Sequence, residues 1–259
     1  MLRGGLVSVS FRKLSPAQII DLVARSGLKS IEWGGDVHVP HGDLKVAREV
    51  KKMTRDKGLI ISSYGSYYRV AGSEAEGLAF ERALNSAREL DAPILRVWAG
   101  NKGSADADEA YWQTVVEDSD RIANLAAQAG INVAYEFHGG TLTDTNESAI
   151  RLLNEVNHPN IYTYWQPTVG MDLDSCLEGL KGILDKLILL HVFHWEIING
   201  QRERLQLEQG KDRWHQYFTL VKQTGRNFDA LIEFVKGDTP EQFLADAKAL
   251  KSWLDKLNA

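Results

Sequence analysis

Eight short apolar runs alternate with amphipathic stretches along the whole 259-residue chain, and this alternation limits the available folds more than any other feature. The runs read as strands over Leu6–Ser10, Lys29–Trp33, Leu59–Gly65, Ile94–Ala99, Ile131–Phe137, Ile161–Gln166, Leu187–Phe193 and Ala230–Val235. Helical periodicity fills 16–26, 43–57, 74–90, 107–129, 145–156, 173–182, 212–224 and 240–257. Ser15-Pro16-Ala17-Gln18 and Thr239-Pro240-Glu241-Gln242 each combine an N-cap, a proline in the first turn and a capping-box partner. Gly27, Gly58, Gly130 and Gly225 stand where helices give way to strands. Eight strand–helix units in about 250 residues match an α/β fold of the (β/α)8 TIM-barrel type. A doubly wound sheet would alternate similarly, but neither G-x-G-x-x-G nor G-x-x-x-x-G-K-[ST] occurs. No linker or repeat divides the chain, so one domain over 1–259 is expected.

Composition narrows the function classes. Hydrophobic residues make up 44% of the chain, enough for a large core. A formal charge of −5 disfavours nucleic acid, whose phosphates require a basic face. Cys176 is the single cysteine, so no intrachain disulfide can form. Met1–Gly5 does not resemble a signal peptide and no apolar run has bilayer-spanning length, so a cytoplasmic protein with no membrane contact is expected.

In such a barrel the chemistry sits at the C-terminal ends of the strands. The expected fifth strand closes on Glu136, the sixth on Gln166, the seventh carries His191 and the eighth Glu233. Side chains alternate along a strand, so Ala134 and Glu136 share a face, as do Tyr164 and Gln166, Leu189 and His191, Leu231 and Glu233. Alone, a strand-end Glu is a partner for a buried Arg, a His in an apolar strand is a core residue, and a Gln is a strand cap. Together, two carboxylates, an amide oxygen and an imidazole on four successive strands describe a site for one divalent ion of the Mn, Mg, Co or Zn type.

These residues carry a resemblance. Ile31-Glu32-Trp33, Tyr135-Glu136-Phe137-His138-Gly139-Gly140, His191-Val192-Phe193-His194-Trp195 and Leu231-Ile232-Glu233-Phe234, in that order, resemble the xylose isomerase-like TIM-barrel superfamily of sugar isomerases and epimerases. The resemblance implies a metal held by Glu, Asp, His and Glu from the last four strands. Glu136, His191 and Glu233 match, whereas Gln166 stands at the Asp position and Phe193-His194 replaces a frequent Lys-Asp. It further implies enediolate proton transfer between Glu136 and Glu233 on a hydroxy-carbonyl sugar, giving an isomerase or epimerase. Elimination from the same enediolate would make the protein a lyase or dehydratase acting on a keto-sugar or keto-glycoside.

Substrate contacts are expected from His38, Tyr67, Arg69, Trp98, His194 and Arg202, the last on a long 194–211 segment of lid-like length. For His38, Tyr67, Arg69 and Arg202 the bland alternative is loop packing or a solvated charge cluster. Glu32 and Arg96 are expected to form a buried structural pair, and His138 to support its loop. Lys102 and Lys236 lie in no phosphate-binding loop, so a neutral sugar is as compatible as a phosphorylated one. The expected partner is a small-molecule sugar or derivative, with a homo-oligomer left open. An abasic-site endonuclease would need a histidine-rich trinuclear zinc site, and few of the seven histidines stand at strand ends. A non-catalytic sugar-binding barrel is kept open by Gln166, but two facing buried carboxylates favour an enzyme.

Overall fold

The computed structural model describes residues 1–258. Eight parallel strands close into a barrel: β1 (Leu2–Val7), β2 (Ser30–Gly34), β3 (Ile60–Arg69), β4 (Ile94–Trp98), β5 (Asn132–Tyr135), β6 (Ile161–Trp165), β7 (Leu187–Val192) and β10 (Phe228–Ile232). Closure runs through β1, which pairs with β2 on one side and with β10 on the other. The surrounding helices are α1 (Pro16–Ser26), α2 (Leu44–Asp56), α3 (Phe80–Leu90), α4 (Glu109–Gln128), α5 (Asn146–Val156), α6 (Leu173–Gly182), α7 (Lys211–Lys222) and α8 (Pro240–Asn258). No helix among the described residues is long and apolar enough to cross a membrane.

Two apolar layers follow from strand alternation. Outward-facing residues such as Ile31, Leu95, Val133 and Leu190 join the helices in the main core. A smaller cluster that includes Val7, Ala134, Tyr164, Leu189 and Leu231 fills the barrel. The last four of these are the inward neighbours expected one pleat below Glu136, Gln166, His191 and Glu233.

Local signals account for several boundaries. Ser15 and Gln18 form the expected capping box at the start of α1, and Gly27 ends that helix in the left-handed region at φ 77°. β1 begins at Leu2 rather than Leu6, because Gly4 and Gly5 lie inside it. A Cβ on Gly5 would come within 2.3 Å of the Ser30 carbonyl oxygen and 2.5 Å of Leu231, so only glycine lets these strands meet. α3 starts at Phe80 rather than 74, after a run of turns. The 194–211 segment, expected as a loop, contains an antiparallel hairpin of β8 (Trp195–Ile198) and β9 (Gln201–Arg204). Its two-residue turn is Asn199-Gly200, with φ values of 52° and 77°.

Candidate active site

The strands end slightly earlier than the sequence suggests, so Glu136, Gln166 and Glu233 each stand one residue past a strand. They remain anchored there. Glu136 N–H bonds Val97 O at 3.0 Å, Glu233 N–H bonds Val192 O at 3.0 Å, and the Thr143 hydroxyl caps Glu136 O at 2.6 Å. Phe234, the next residue, is held at a strained φ of 51° while its N–H donates to Ser10 Oγ at 2.9 Å.

These anchors bring four donor atoms to one point. His191 Nδ1 lies 3.1 Å from Gln166 Oε1, 3.4 Å from Glu136 Oε1 and 3.5 Å from Glu233 Oε2. Gln166 Nε2 donates to Phe137 O at 2.7 Å, which turns its amide oxygen toward the cluster. Ligands 2.0–2.2 Å from a shared ion at tetrahedral or octahedral angles stand about 2.8–3.6 Å apart, so the spacing around Nδ1 fits a divalent cation. Ligand atoms of buried Glu136, His191 and Glu233 all lie within 4.8 Å of one another. With a proton on Nε2 alone, the lone pairs of all four groups would converge on one point, a donor set that could hold a cation.

Electrostatics follows from burial and pairing. Burial opposes charging of His191, but Glu233 and Glu32 overcome it and raise the imidazole to about 9. Burial also raises Glu233, and the His191 charge outweighs it, leaving the carboxyl below its ordinary value. Arg96 was expected to pair with Glu32, and its Nε does lie 3.1 Å from Glu32 Oε1. The guanidinium also donates through Nη1 to Glu136 Oε2, an oxygen that accepts the Trp98 indole N–H at 2.6 Å as well.

Above the cluster opens a cavity of about 530 Å³ whose walls include Tyr67, Trp98, His138, Trp195, Arg202 and Phe234. Tyr67, Trp98 and Arg202 thus stand where substrate contacts were expected. His138, expected to support its loop, lies against the cavity and stacks on Trp98 with ring centroids 4.4 Å apart.

Three expected contacts lie elsewhere. His38 is buried behind the first loop, where its ring nitrogens face Ser8 Oγ at 3.0 Å and Leu14 O at 3.1 Å and so have no hydrogen-bonding capacity for substrate. His194 precedes the hairpin, 3.4 Å from Glu196, with its ring packed against Gly210 and away from the cavity. Arg69 lies outside the cavity wall, its guanidinium 5.1 Å from the Trp98 ring centroid.

Sequence reasoning missed Arg12, Trp195 and Phe234 as cavity residues. Arg12 donates to Asp36 at 2.9 Å and to the Tyr67 hydroxyl at 3.1 Å, and its place in the first βα loop was the available signal.

Known proteins place this geometry in context. Over 171 residues, 62% of this chain, the sequence is 29% identical to the 3-dehydroshikimate dehydratase of Bacillus anthracis, with 60% of that protein covered. It is 27% identical over 124 residues, 48% of this chain, to the inosose dehydratase of Geobacillus kaustophilus (strain HTA426), with 35% of that protein covered. The matches therefore span less than two thirds of either relative. A crystal structure of a probable 3-DHS dehydratase from Bacillus anthracis superposes with a TM-score of 0.79 at 24% identity, covering 97% of this chain and 99% of that one, a likeness of fold. Both sequence relatives are dehydratases, which favours the lyase alternative over the isomerase or epimerase reading. The family model matched across residues 20–256 settles the membership: this chain belongs to the xylose isomerase-like TIM barrel family.

Proposed function

We propose that the protein is a divalent-metal-dependent dehydratase that removes water from a cyclic polyhydroxy ketone. The observation that carries this reading is the inequality of its two carboxylates. Glu136 Oε2 is occupied by two N–H donors, Arg96 and Trp98. Both carboxylates line the cavity, but the ion-pair contact of Glu233 among the described residues is His191 Nδ1, 3.5 Å from Oε2. Epimerisation or isomerisation between two carboxylates requires both to exchange protons with substrate, whereas elimination requires only one.

A divalent ion held by Glu136, Gln166, His191 and Glu233 would supply a Lewis acid for the substrate carbonyl and acidify the neighbouring C–H. Glu233 then takes the proton from the carbon next to the carbonyl. The electron pair forms a C=C bond as the C–O bond to the next carbon breaks. Glu233 returns its proton to the departing hydroxyl, which leaves as water, so one carboxylate serves as base and then as acid. The stacked Trp98 and His138 rings form one wall beside the substrate, and Arg96 keeps Glu136 fixed throughout.

The two dehydratase relatives supply the first substrates to test, 3-dehydroshikimate and an inosose. Each is incubated with Mn²⁺-loaded protein while ultraviolet absorbance and mass report loss of water. An enone or its aromatised product, absent with Glu233→Gln, is the expected result. Formation of an epimer or aldose–ketose isomer without water loss would overturn the dehydratase reading in favour of the isomerase one.

A further inference from the structure

Beneath the cluster lies a carboxylate with no part in the steps above. Glu32, on β2, is fully buried, as are its neighbours Ser63 and His191. Its Oε2 accepts the Ser63 hydroxyl at 2.7 Å and lies 3.7 Å from His191 Nε2, while Oε1 faces Arg96 Nε at 3.1 Å. Arg96 in turn donates to Glu136. One carboxylate thus touches both the imidazole and the cation that fixes the adjacent carboxylate.

The barrel is built around this arrangement. A Cβ on Gly65 of β3 would stand 2.6 Å from Arg96 Nη2 and 2.8 Å from Glu32 Oε1, so the strand leaves its side-chain position to the pair. The Tyr164 ring packs edge-on against His191 at 5.1 Å and blocks that side of the imidazole. His191 Nε2 has no hydrogen-bond partner among the described residues, and the Glu32 carboxylate is the acceptor that faces it.

We propose that Glu32 is a positioning residue that orients His191 directly and Glu136 through Arg96; in its effect on metal binding, this rests on the metal site proposed above. A carboxylate facing Nε2 keeps the imidazole proton on that nitrogen and leaves the Nδ1 lone pair for the cation, the arrangement by which outer groups tune metal ligands. A buried ion pair is weak evidence for a purely stabilising role, because desolvation offsets much of its attraction. What the pair does here is aim two ligands.

The test measures Mn²⁺ affinity by calorimetry for wild type, Glu32→Gln and Ser63→Ala, with thermal unfolding to confirm each fold. Glu32→Gln preserves shape and removes charge, and is expected to weaken Mn²⁺ binding roughly 10–100-fold. Ser63→Ala, which loosens Glu32 without removing it, should move affinity the same way by less. A folded Glu32→Gln protein with wild-type affinity would overturn the proposal. If Glu32→Gln does not fold, Ser63→Ala decides: unchanged affinity overturns the proposal and weakened affinity sustains it. Imidazole ¹⁵N shifts of metal-free protein at alkaline pH provide a readout independent of metal. The His191 proton is expected on Nε2 in wild type and should move toward Nδ1 in Glu32→Gln. If wild type binds no Mn²⁺, the metal reading fails, and the ¹⁵N result alone sustains or overturns the positioning role.

Discussion

The Trp98 indole N–H ends 2.6 Å from Glu136 Oε2, so an aromatic wall of the cavity is also a clamp on a candidate metal ligand. The ring is fixed by Tyr67 edge-on at 5.4 Å and by His138 stacked at 4.4 Å, which gives the clamp little freedom. Trp98→Phe would keep most of that packing and remove the donor. Loss of a hydrogen bond to a charged acceptor costs about 1.5–3 kcal/mol, measurable by urea unfolding. The variant should also exchange more substrate α-hydrogen with deuterated solvent per water eliminated, because the second carboxylate loses one of the two donors that hold its Oε2. An unchanged exchange-to-elimination ratio would show that the Trp98 clamp does not set the inequality of the two glutamates.

Metal affinity should depend on pH through His191. Its imidazole is raised to about 9, burial opposing and Glu233 with Glu32 favouring the charge, so the metal-free protein holds a proton where the cation would bind. Metal binding must displace that proton. Mn²⁺ affinity should therefore rise about tenfold per pH unit as pH climbs toward this value and level off above it. Calorimetry in buffers of differing ionisation enthalpy checks the point, with about one proton released per Mn²⁺ bound near neutral pH. No proton release would show that the cation does not displace a proton from His191.

The legible parts of this molecule were those governed by periodicity. Alternation along each strand placed Ala134, Tyr164, Leu189 and Leu231 inside the barrel and, one pleat further on, the four candidate ligands at its mouth. Parity also put Arg96 and Trp98 on one face, although it did not reveal that both reach across to Glu136. Side-chain direction in loops has no such period, and so His38 and His194, plausible on the page, turned out to face Leu14 and Glu196. The hairpin was hidden for another reason. Asn199-Gly200 is a strong turn signal, but Gln201–Arg204 is wholly polar and shows none of the alternation of a half-buried strand. At β1, local propensity pointed the wrong way, because Gly4 and Gly5 disfavour a strand that barrel closure requires.

Acid stability should carry the signature of Glu32. Burial raises this carboxyl, but Arg96 and His191 more than offset it and hold it at about 2, below its ordinary 4.5. A depressed folded value contributes stability fully above about 4.5, and that contribution is lost as pH falls toward about 2. Glu32→Gln has no such group. The stability difference between wild type and Glu32→Gln, from denaturant titrations at successive pH values, should therefore be largest near neutrality and shrink on acidification through that window. A difference independent of pH would mean that Glu32 is not an ionised partner of Arg96.

The hairpin offers a test of whether the cavity wall can be loosened without unfolding the barrel. Trp195 and Arg202 both line the cavity, and the turn that aligns their strands needs left-handed backbone at Asn199 and Gly200. Nothing lies within 4 Å of a Cβ added at Gly200, so Gly200→Val would act through backbone conformation alone. A β-branched residue at φ 77° is strained by about 1–3 kcal/mol. An isolated two-stranded hairpin is marginal, so the strain is expected to relax by local opening rather than by global unfolding. The main thermal transition should stay within a few degrees of wild type. KM for a ketone substrate should rise roughly 5–150-fold, the equivalent of that strain, while Mn²⁺ affinity stays unchanged because none of the four donors is on the hairpin. A parallel loss of Mn²⁺ affinity would instead make the hairpin part of the metal site's support.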